Sequence, residues 1–456
     1  MTHSDLPQPD RQQSDLPQSD DAPLVNDETF KAASHARYAE LRTHGPVQRV
    51  RQPNGLDLFL VLDHDLARTA LMHPDLRKDP EIARAALDAA GVTSYQGRGQ
   101  GLGANMLMAD PPDHARLRGP VARTFTPRRV EALRPRVQEI TDALIDAIEA
   151  KAAAGEPIDL VEDFTAPLPV MVICELLGVP LDHQDDFRRW TLAAVAGSSS
   201  MPSPAQREGA EALNRYFAEL LAEKSKDPSG EDLLCALIRL SREEEGALSD
   251  EELLGTAVIL LVAGHETTVN LLGNATAALL DQPEQAALLR ESPELLPGAV
   301  EEFLRFDAPV EQTPLRFAAQ DVELGGVVIP QGTPVVVSLA AVGRDPQTGS
   351  DTAAALDRLD VTRTDVKHLS FGHGIHYCVG APLARLEAVV ALGTLLRRLP
   401  QLAPAVPYTE LRWTERGIMH GPIALPASLS ATEATEATEA ADAARAAEAG
   451  KSAAKA

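Results

Sequence analysis

Three features of the sequence predict a mainly α-helical fold with small antiparallel β-sheets. Apolar residues recur at three-and-four spacing through runs such as RVEALRPRVQEITDALIDAIEAKAA, EDLLCALIRLSR and PEQAALLRESPELLPGAVEEFLRF. Strand-like alternation is confined to short islands. No Gly/Ser- or Pro-rich linker divides residues 27–427, so these residues read as one large domain although their length alone would suggest two or three.

Taken in order, residues 1–26 are polar and proline-rich and repeat SDLPQ at 4–8 and 14–18. Residues 428–456 are dominated by Ala, Glu and Thr, as in ATEATEATEAADAARAAEAG. Neither stretch can bury enough apolar surface to offset its ordering entropy, and both are expected to be disordered tails. VQRVRQPNGLDLFLVLD (47–63) alternates on both sides of Asn54-Gly55, a hairpin signature. DVELGGVVIPQGTPVVVSLA (321–340) is a second Val-rich island. LSDEELLGTAVILLVAGHETTVNLLGNATAALL (248–280) opens with a Ser249/Glu252 capping box and keeps helical spacing for about 30 residues, roughly 45 Å of helix. A further helix, APLARLEAVVALGTLLRRL, begins directly after Cys378.

Composition narrows the function. The three cysteines, Cys174, Cys235 and Cys378, are far apart and form no CxxC pair, which argues for a reducing compartment. The N-terminus lacks the basic flank and apolar run of a signal peptide, and the longest strongly apolar stretch, 253–264, is shorter than the about 20 residues of a membrane span. A soluble, cytoplasmic protein is expected, with neither membrane nor nucleic acid as partner, since the formal net charge is −25. Residues 113–136 run against that charge, with seven arginines beside only Asp113 and Glu131, and suggest a docking patch for an acidic partner. Cys174 and Cys235 lie on apolar helix faces and read as core.

Three stretches carry chemistry. FGHGIHYCVG (371–380) surrounds Cys378 with glycines that let backbone approach a flat object, and the following helix aims its N-terminal amides at the sulfur, favouring a thiolate metal ligand. Zinc on His373, His376 and Cys378 is an alternative, although structural zinc usually takes four protein ligands and no second pair stands elsewhere. In the middle of the long helix, AGHETT (263–268) puts glycine and adjacent threonines where propensity opposes a helix. A loosened turn there would leave Glu266 and Thr267 able to bind oxygen species and deliver protons. A packing kink is the plainer alternative. Finally, Glu302 and Arg305 stand three apart and can pair.

Together these stretches resemble the cytochromes P450, the haem-thiolate monooxygenases. FGHGIHYCVG matches the family's haem pattern F-x-x-G-x-[HR]-x-C-x-G at every fixed position, AGHETT its oxygen-activation motif and EFLR its E-x-x-R. The likeness extends through MLMADPPDHARLR and LPVMVICELLGVP and is greatest to soluble bacterial members that tailor macrolides and other secondary metabolites. It implies haem b held by Cys378 as axial ligand, with Phe371 beside the sulfur and His114, Arg118, Arg316 and His376 reaching the propionates. Glu266 and Thr267 would be the acid–alcohol pair of oxygen activation, and Glu302 and Arg305 a buried structural pair. Ala263, Val310 and Ile418, with parts of the glycine-rich 82–105 loop, would face a sizeable hydrophobic substrate. Electrons would come from NAD(P)H through ferredoxin reductase and ferredoxin, docking on the arginine-rich side of a monomeric enzyme. The implied reaction inserts one oxygen atom from O2, by hydroxylation or epoxidation, into a macrolide or other polyketide. A terpenoid or steroid is the alternative substrate, and a non-catalytic haem sensor the alternative class. A peroxide-driven enzyme would need no acid–alcohol pair. Two departures from the family, Val342-Gly343 and Leu359, bear on packing before the haem loop and not on the catalytic residues.

Overall fold

The computed structural model describes residues 22–92, 103–180, 186–187, 189–190, 204–243, 247–346, 352–415 and 417–429. Most of both tails, and the glycine-rich stretch 93–102, lie outside these residues. Residues 22–26, read from composition as part of the N-terminal tail, are described and make contact with the fold. Val25 is fully buried beside Phe30, Tyr38 and Val50, Leu24 bridges in parallel to Arg51, and the Asn26 amide donates to Gln312 Oε1 at 2.8 Å. The buried valine and the Asn26 to Gln312 hydrogen bond anchor the end of this stretch. At the other end Ser428 closes a strand that pairs with Ala403.

The central helix, Asp250–Asp281, organises the molecule. Its N-terminus carries the expected capping box: Ser249 Oγ accepts from the Glu252 amide at 3.3 Å, and Glu252 Oε2 accepts from the Ser249 amide at 2.9 Å. Helices Pro167–Leu177, Pro204–Lys224 and Ala381–Arg398 pack on it. Among the described helices it alone is long and apolar enough to cross a membrane, and 67% of that apolar window is buried inside the fold.

The loosened turn expected in this helix is absent; the helix is continuous from end to end. Its threonines bond within it, Thr267 Oγ1 donating to the Ala263 carbonyl at 2.7 Å and Thr268 Oγ1 to the Gly264 carbonyl at 3.2 Å. Gly264 serves packing instead. A Cβ there would meet the Ile173 side chain at 3.1–3.3 Å, so glycine lets helix Pro167–Leu177 come close.

Strands occupy the periphery. β1 (Val47–Arg51) and β2 (Asp57–Val61) form the predicted hairpin, in register from Val47↔Val61 to Arg51↔Asp57, with Gly55 at φ +85° in the turn. They join β3 (Leu76–Arg77), β5 (Arg316–Ala318) and β8 (Pro334–Val337) in the order β1-β2-β8-β5-β3. The β2–β8 pairing is parallel, unlike the other strand pairings among the described residues. The Val-rich island splits into a small hairpin, β6 (Val322–Leu324) and β7 (Val327–Ile329), followed by β8. A third sheet joins β4 (Ile158–Asp159), β10 (Pro426–Ser428) and β9 (Ala403–Pro404).

Candidate functional site

Cys378 lies at the floor of a mostly apolar cavity of about 1020 Å³, deep in the fold yet open to that space. Gly372 and Gly374, at φ +73° and +72°, turn the chain so that the Cys378 amide donates to the Phe371 carbonyl at 2.8 Å. Helix Ala381–Arg398 then starts behind the sulfur, and the amides of Gly380 and Ala381 donate to it. Burial pushes the thiol pKa up, while these amides and the Arg118 and Arg385 guanidiniums pull the other way. A positive partner above the sulfur would complete the stabilisation of a thiolate. Phe371 packs beside this loop with the Arg385 guanidinium 4.4 Å from its ring centre.

At one part of the wall five basic side chains converge. The rings of His114 and His376 are 4.4 Å apart, and Arg118, Arg316 and Lys78 stand near them. Burial and these neighbours, Lys78 first, push His376 down to about 2, and burial lowers Arg316 to about 10. His114 Nε2, His376 Nε2 and Arg316 Nε are buried without a hydrogen-bond partner. Unpartnered polar atoms in a crowd of positive charge suit an anionic ligand, and the two propionates of a haem fit. Lys78 was not legible in LRKDP as a site residue. It is buried because Asp110 accepts from its amide, and its ammonium donates to the Pro314 and Leu315 carbonyls at 3.2 and 3.1 Å.

The other predicted residues fall into place around the same space. Glu266 and Thr267 line the cavity, as do Ala263, Val310 and Ile418. Val92, Met106, Leu107 and Met108 line it from either side of the undescribed stretch. Glu302 and Arg305 are fully buried away from the cavity and form a bidentate pair. His373, His376 and Cys378 do not converge as a metal cluster, so zinc finds no site there. Glu387, nine residues past Cys378, is a buried carboxyl that sequence reading missed; burial holds it well above the usual range.

The cysteine loop, the orphaned basic cluster and the central helix are together the layout of one family, and the chain matches the Cytochrome P450 family over residues 34–405. The chain belongs to the cytochrome P450 family. As such it is a haem-thiolate monooxygenase that carries haem b and takes electrons from NAD(P)H through redox partners. It is 48% identical over 397 residues to the cytochrome P450 monooxygenase PikC of Streptomyces venezuelae, covering 87% of this chain and 91% of that one. It is 41% identical to the mycinamicin IV hydroxylase/epoxidase of Micromonospora griseorubida, over 86% of this chain and 94% of that one. Among solved structures, the tirandamycin C-bound P450 monooxygenase TamI superposes with a TM-score of 0.79 at 37% identity, covering 90% of this chain and all of that one.

The arginine-rich segment of this P450 is less free than its composition suggests. Arg116 is paired with Glu252 at 2.6 Å, Arg134 with Glu131, and Arg136 with Glu139 and Glu175. Arg129 donates to the Thr124 and Glu231 carbonyls, and Arg118 to that of Tyr377 at 2.6 Å. Much of the positive charge is thus engaged within the chain, by partners both inside the segment (Glu131, Thr124) and outside it (Glu139, Glu175, Glu231, Glu252, Tyr377). In the cysteine loop Ile375 and Tyr377 are exposed, Tyr377 also bordering the cavity.

Proposed function

We propose that this cytoplasmic P450 hydroxylates or epoxidises a bulky, mostly apolar secondary metabolite, a macrolide or other polyketide. The observation that carries the proposal is the cavity of about 1020 Å³, part of which the cofactor takes, walled by Ile173, Val262, Ala263, Val310, Ile418 and Met419. Apolar walls of that extent favour a large hydrophobic ligand whose orientation rests on a few polar contacts. Relatives named for mycinamicin IV and tirandamycin C point the same way.

In this reading Cys378 would hold the haem iron, and His114, Arg118, Arg316, His376 and Lys78 would bind its propionates. When bound, haem supplies O2 activation, with the thiolate's electron donation favouring O–O cleavage. The chain's own residues supply the rest. The Gly380 and Ala381 amides keep negative charge on the sulfur. Thr267 holds its hydroxyl proton on the Ala263 carbonyl at the cavity wall, where Glu266 can replenish it. Apolar side chains orient the substrate and exclude bulk water. Glu302 and Arg305 take no part in the chemistry. Bacterial members generally draw on ferredoxin and its reductase, and the ferredoxin would dock at the cysteine loop, beside Ile375, Tyr377 and Arg385.

The test is a screen of the purified holoenzyme for substrate-induced spectral shifts against macrolides, other polyketides, terpenoids and steroids. Turnover with ferredoxin, reductase and NADPH is then compared with turnover in hydrogen peroxide alone. Tight binding and oxidation of a macrolide or polyketide is the expected result. Selective oxidation of a steroid, or turnover with peroxide only, would replace the proposal, and Cys378→Ser should abolish the thiolate-type band of the reduced carbon monoxide complex.

A further inference from the structure

The substrate wall contributed by Val310, Ile418 and Met419 has a charged support behind it. Its two strands are joined by Glu311 N donating to Ile418 O at 2.8 Å and His420 N donating to Pro309 O at 3.0 Å, with Val310 opposite Met419. The second strand belongs to a hairpin closed by Trp413 opposite Pro422 and by Thr414 Oγ1 donating to Met419 O at 3.0 Å. Four residues from the N-terminal segment 26–38 gather at this pair of strands, where Gln312 borders the cavity and Glu311 does not. Asn26 donates to Gln312 Oε1, and Gln312 Nε2 donates to the Tyr38 hydroxyl at 3.0 Å. Lys31, in the short helix Glu28–Lys31, places its ammonium on the Glu311 carboxylate and on the Met419 carbonyl, the latter at 2.7 Å. His35 Nε2 lies 3.2 Å from Asp307 Oδ1, and His420 Nε2 reaches the same oxygen at 3.2 Å.

Basic and acidic groups face one another here, with Arg344 acting on His35 and Asp307 as well. Lys31 and Glu311 are almost wholly buried, each side chain 1% exposed. His420 is sandwiched: Trp413 stacks on its ring at 4.9 Å, Asp307 and Glu311 face its two nitrogens, and His35 and Lys31 stand nearby. Burial, the largest single influence, lowers the His420 pKa, but Asp307 and Glu311 together outweigh it and raise the value. Asn274, on the central helix, donates to both the Asp307 and His420 carbonyls at 3.1 Å and ties the cluster to the helix that carries Glu266 and Thr267.

We infer that Lys31 is a positioning residue for substrate: through Glu311 and the Met419 carbonyl, the N-terminal helix sets where Val310, Ile418 and Met419 stand in the cavity. A single ammonium bonded both to the carboxylate behind one strand and to the backbone of the other fixes the distance between them. The first strand is tied to the end of β8 and just beyond it, by Thr313 N donating to Val337 O at 3.0 Å and Ala340 N to Glu311 O at 3.2 Å. The hairpin meets that strand only through an isolated bridge, so Lys31 bears mainly on the hairpin. Removing the ammonium leaves the buried Glu311 carboxylate with only Ser34 and, at 3.6 Å, His420 to balance it, so the hairpin would shift to let water in.

The inference rests on the haem-site reading above, and the test separates the two. Holoenzyme carrying Lys31→Met, Glu311→Gln, or both is compared with the unmodified protein in two measurements. In the first, hydrogen exchange of peptides spanning 413–422 should speed up by about tenfold in Lys31→Met, the scale of one lost charged hydrogen bond, and recover in part in the double variant. In the second, spectral titrations use imidazole, which needs little room, and clotrimazole, which fills the cavity. Clotrimazole should bind about tenfold more weakly in Lys31→Met while imidazole stays within about twofold, because only the former touches the wall. Unchanged exchange and an unchanged ratio of the two dissociation constants, with only a lower melting temperature, would overturn the inference and leave Lys31 as a structural staple. Should Lys31→Met fail to fold, Glu311→Gln, which keeps shape and accepts a hydrogen bond, carries the same expectations. If the unmodified protein shows no azole shift, the haem reading has failed, and hydrogen exchange still decides whether Lys31 holds the hairpin.

Discussion

Arg305 grips Glu302 with two parallel hydrogen bonds, Nε to Oε2 at 2.7 Å and Nη2 to Oε1 at 2.8 Å, and neither side chain reaches solvent. The remaining guanidinium hydrogens go to the carbonyls of Gly343, Leu356 and Arg358, while Glu302 also accepts from the Asp360 amide and from Arg363. The pair thus fastens helix Leu296–Phe306 to the irregular segment that leads into the cysteine loop. Glu302→Gln leaves Arg305 buried without its counter-charge, and a loss of about 3–5 kcal/mol is expected from urea unfolding of the holoenzyme. A loss below about 1 kcal/mol would mean that the backbone carbonyls alone satisfy Arg305.

Gly343 is the other half of that arrangement. A Cβ at this position would lie 2.5 Å from the Arg305 carbonyl oxygen, and backbone on both sides leaves little room to yield. Gly343→Ala is therefore expected to cost about 1–3 kcal/mol and to lower the yield of haem-loaded protein, read from the ratio of Soret to protein absorbance. The departure at Val342-Gly343 is accordingly a matched feature: Val342 is fully buried, and the glycine admits the carbonyl of the very arginine that donates to its own.

How much of this was legible in the sequence depended on the range of each interaction. The Cys378 loop, the Glu302/Arg305 pair and the β1–β2 hairpin are made of residues close in the chain, and their spacing announces them. Lys78 and Asp110, Lys31 and Glu311, and Arg116 and Glu252 come together only when distant segments fold, so no local pattern marks them. The same holds for the parallel β2–β8 pairing, between strands some 275 residues apart in the register Phe59↔Val335. Gly264 misled for another reason. Glycine in a helix reads as weakness, but here it makes room for Ile173, and packing overrides propensity.

The start of the central helix gives a pH-dependent prediction. Glu252 sits in the capping box and accepts two hydrogen bonds from Arg116, at 2.6 and 2.8 Å. The Arg116 bonds, ahead of the opposing effect of burial, bring its pKa down from 4.5 to about 2. A carboxyl depressed in the folded state stabilises fully above its unfolded value and loses that contribution as pH falls through the folded one. Glu252→Gln should therefore be less stable than the unmodified protein by about 1–2 kcal/mol at neutral pH, from the lost cap and ion pair. The gap should narrow as pH falls below 4.5 toward about 2. A gap that stays constant with pH would assign the loss to helix propensity instead of charge.

Thr267 bears the proposal for proton handling. It follows Glu266 at the cavity wall, and its Oγ1 donates to the Ala263 carbonyl at 2.7 Å, which fixes the hydroxyl inside an intact helix. Because the helix is unbroken, the hydroxyl is held by one rotamer-defining bond and not by a distorted turn, so removing it should leave the backbone unchanged. Thr267→Ala is then expected to keep consuming NADPH while product falls by roughly 10²-fold, at the low end of general acid–base contributions, and hydrogen peroxide release rises to match. Thr267→Ser keeps the donor and should retain most of the coupling, which separates the proton from the methyl group's packing. The measurement is the ratio of product and peroxide to NADPH oxidised, with substrate-induced spectral binding as a control on affinity. Equal coupling in Thr267→Ala and the unmodified enzyme would remove the hydroxyl from the mechanism and leave the proton supply to Glu266 and water.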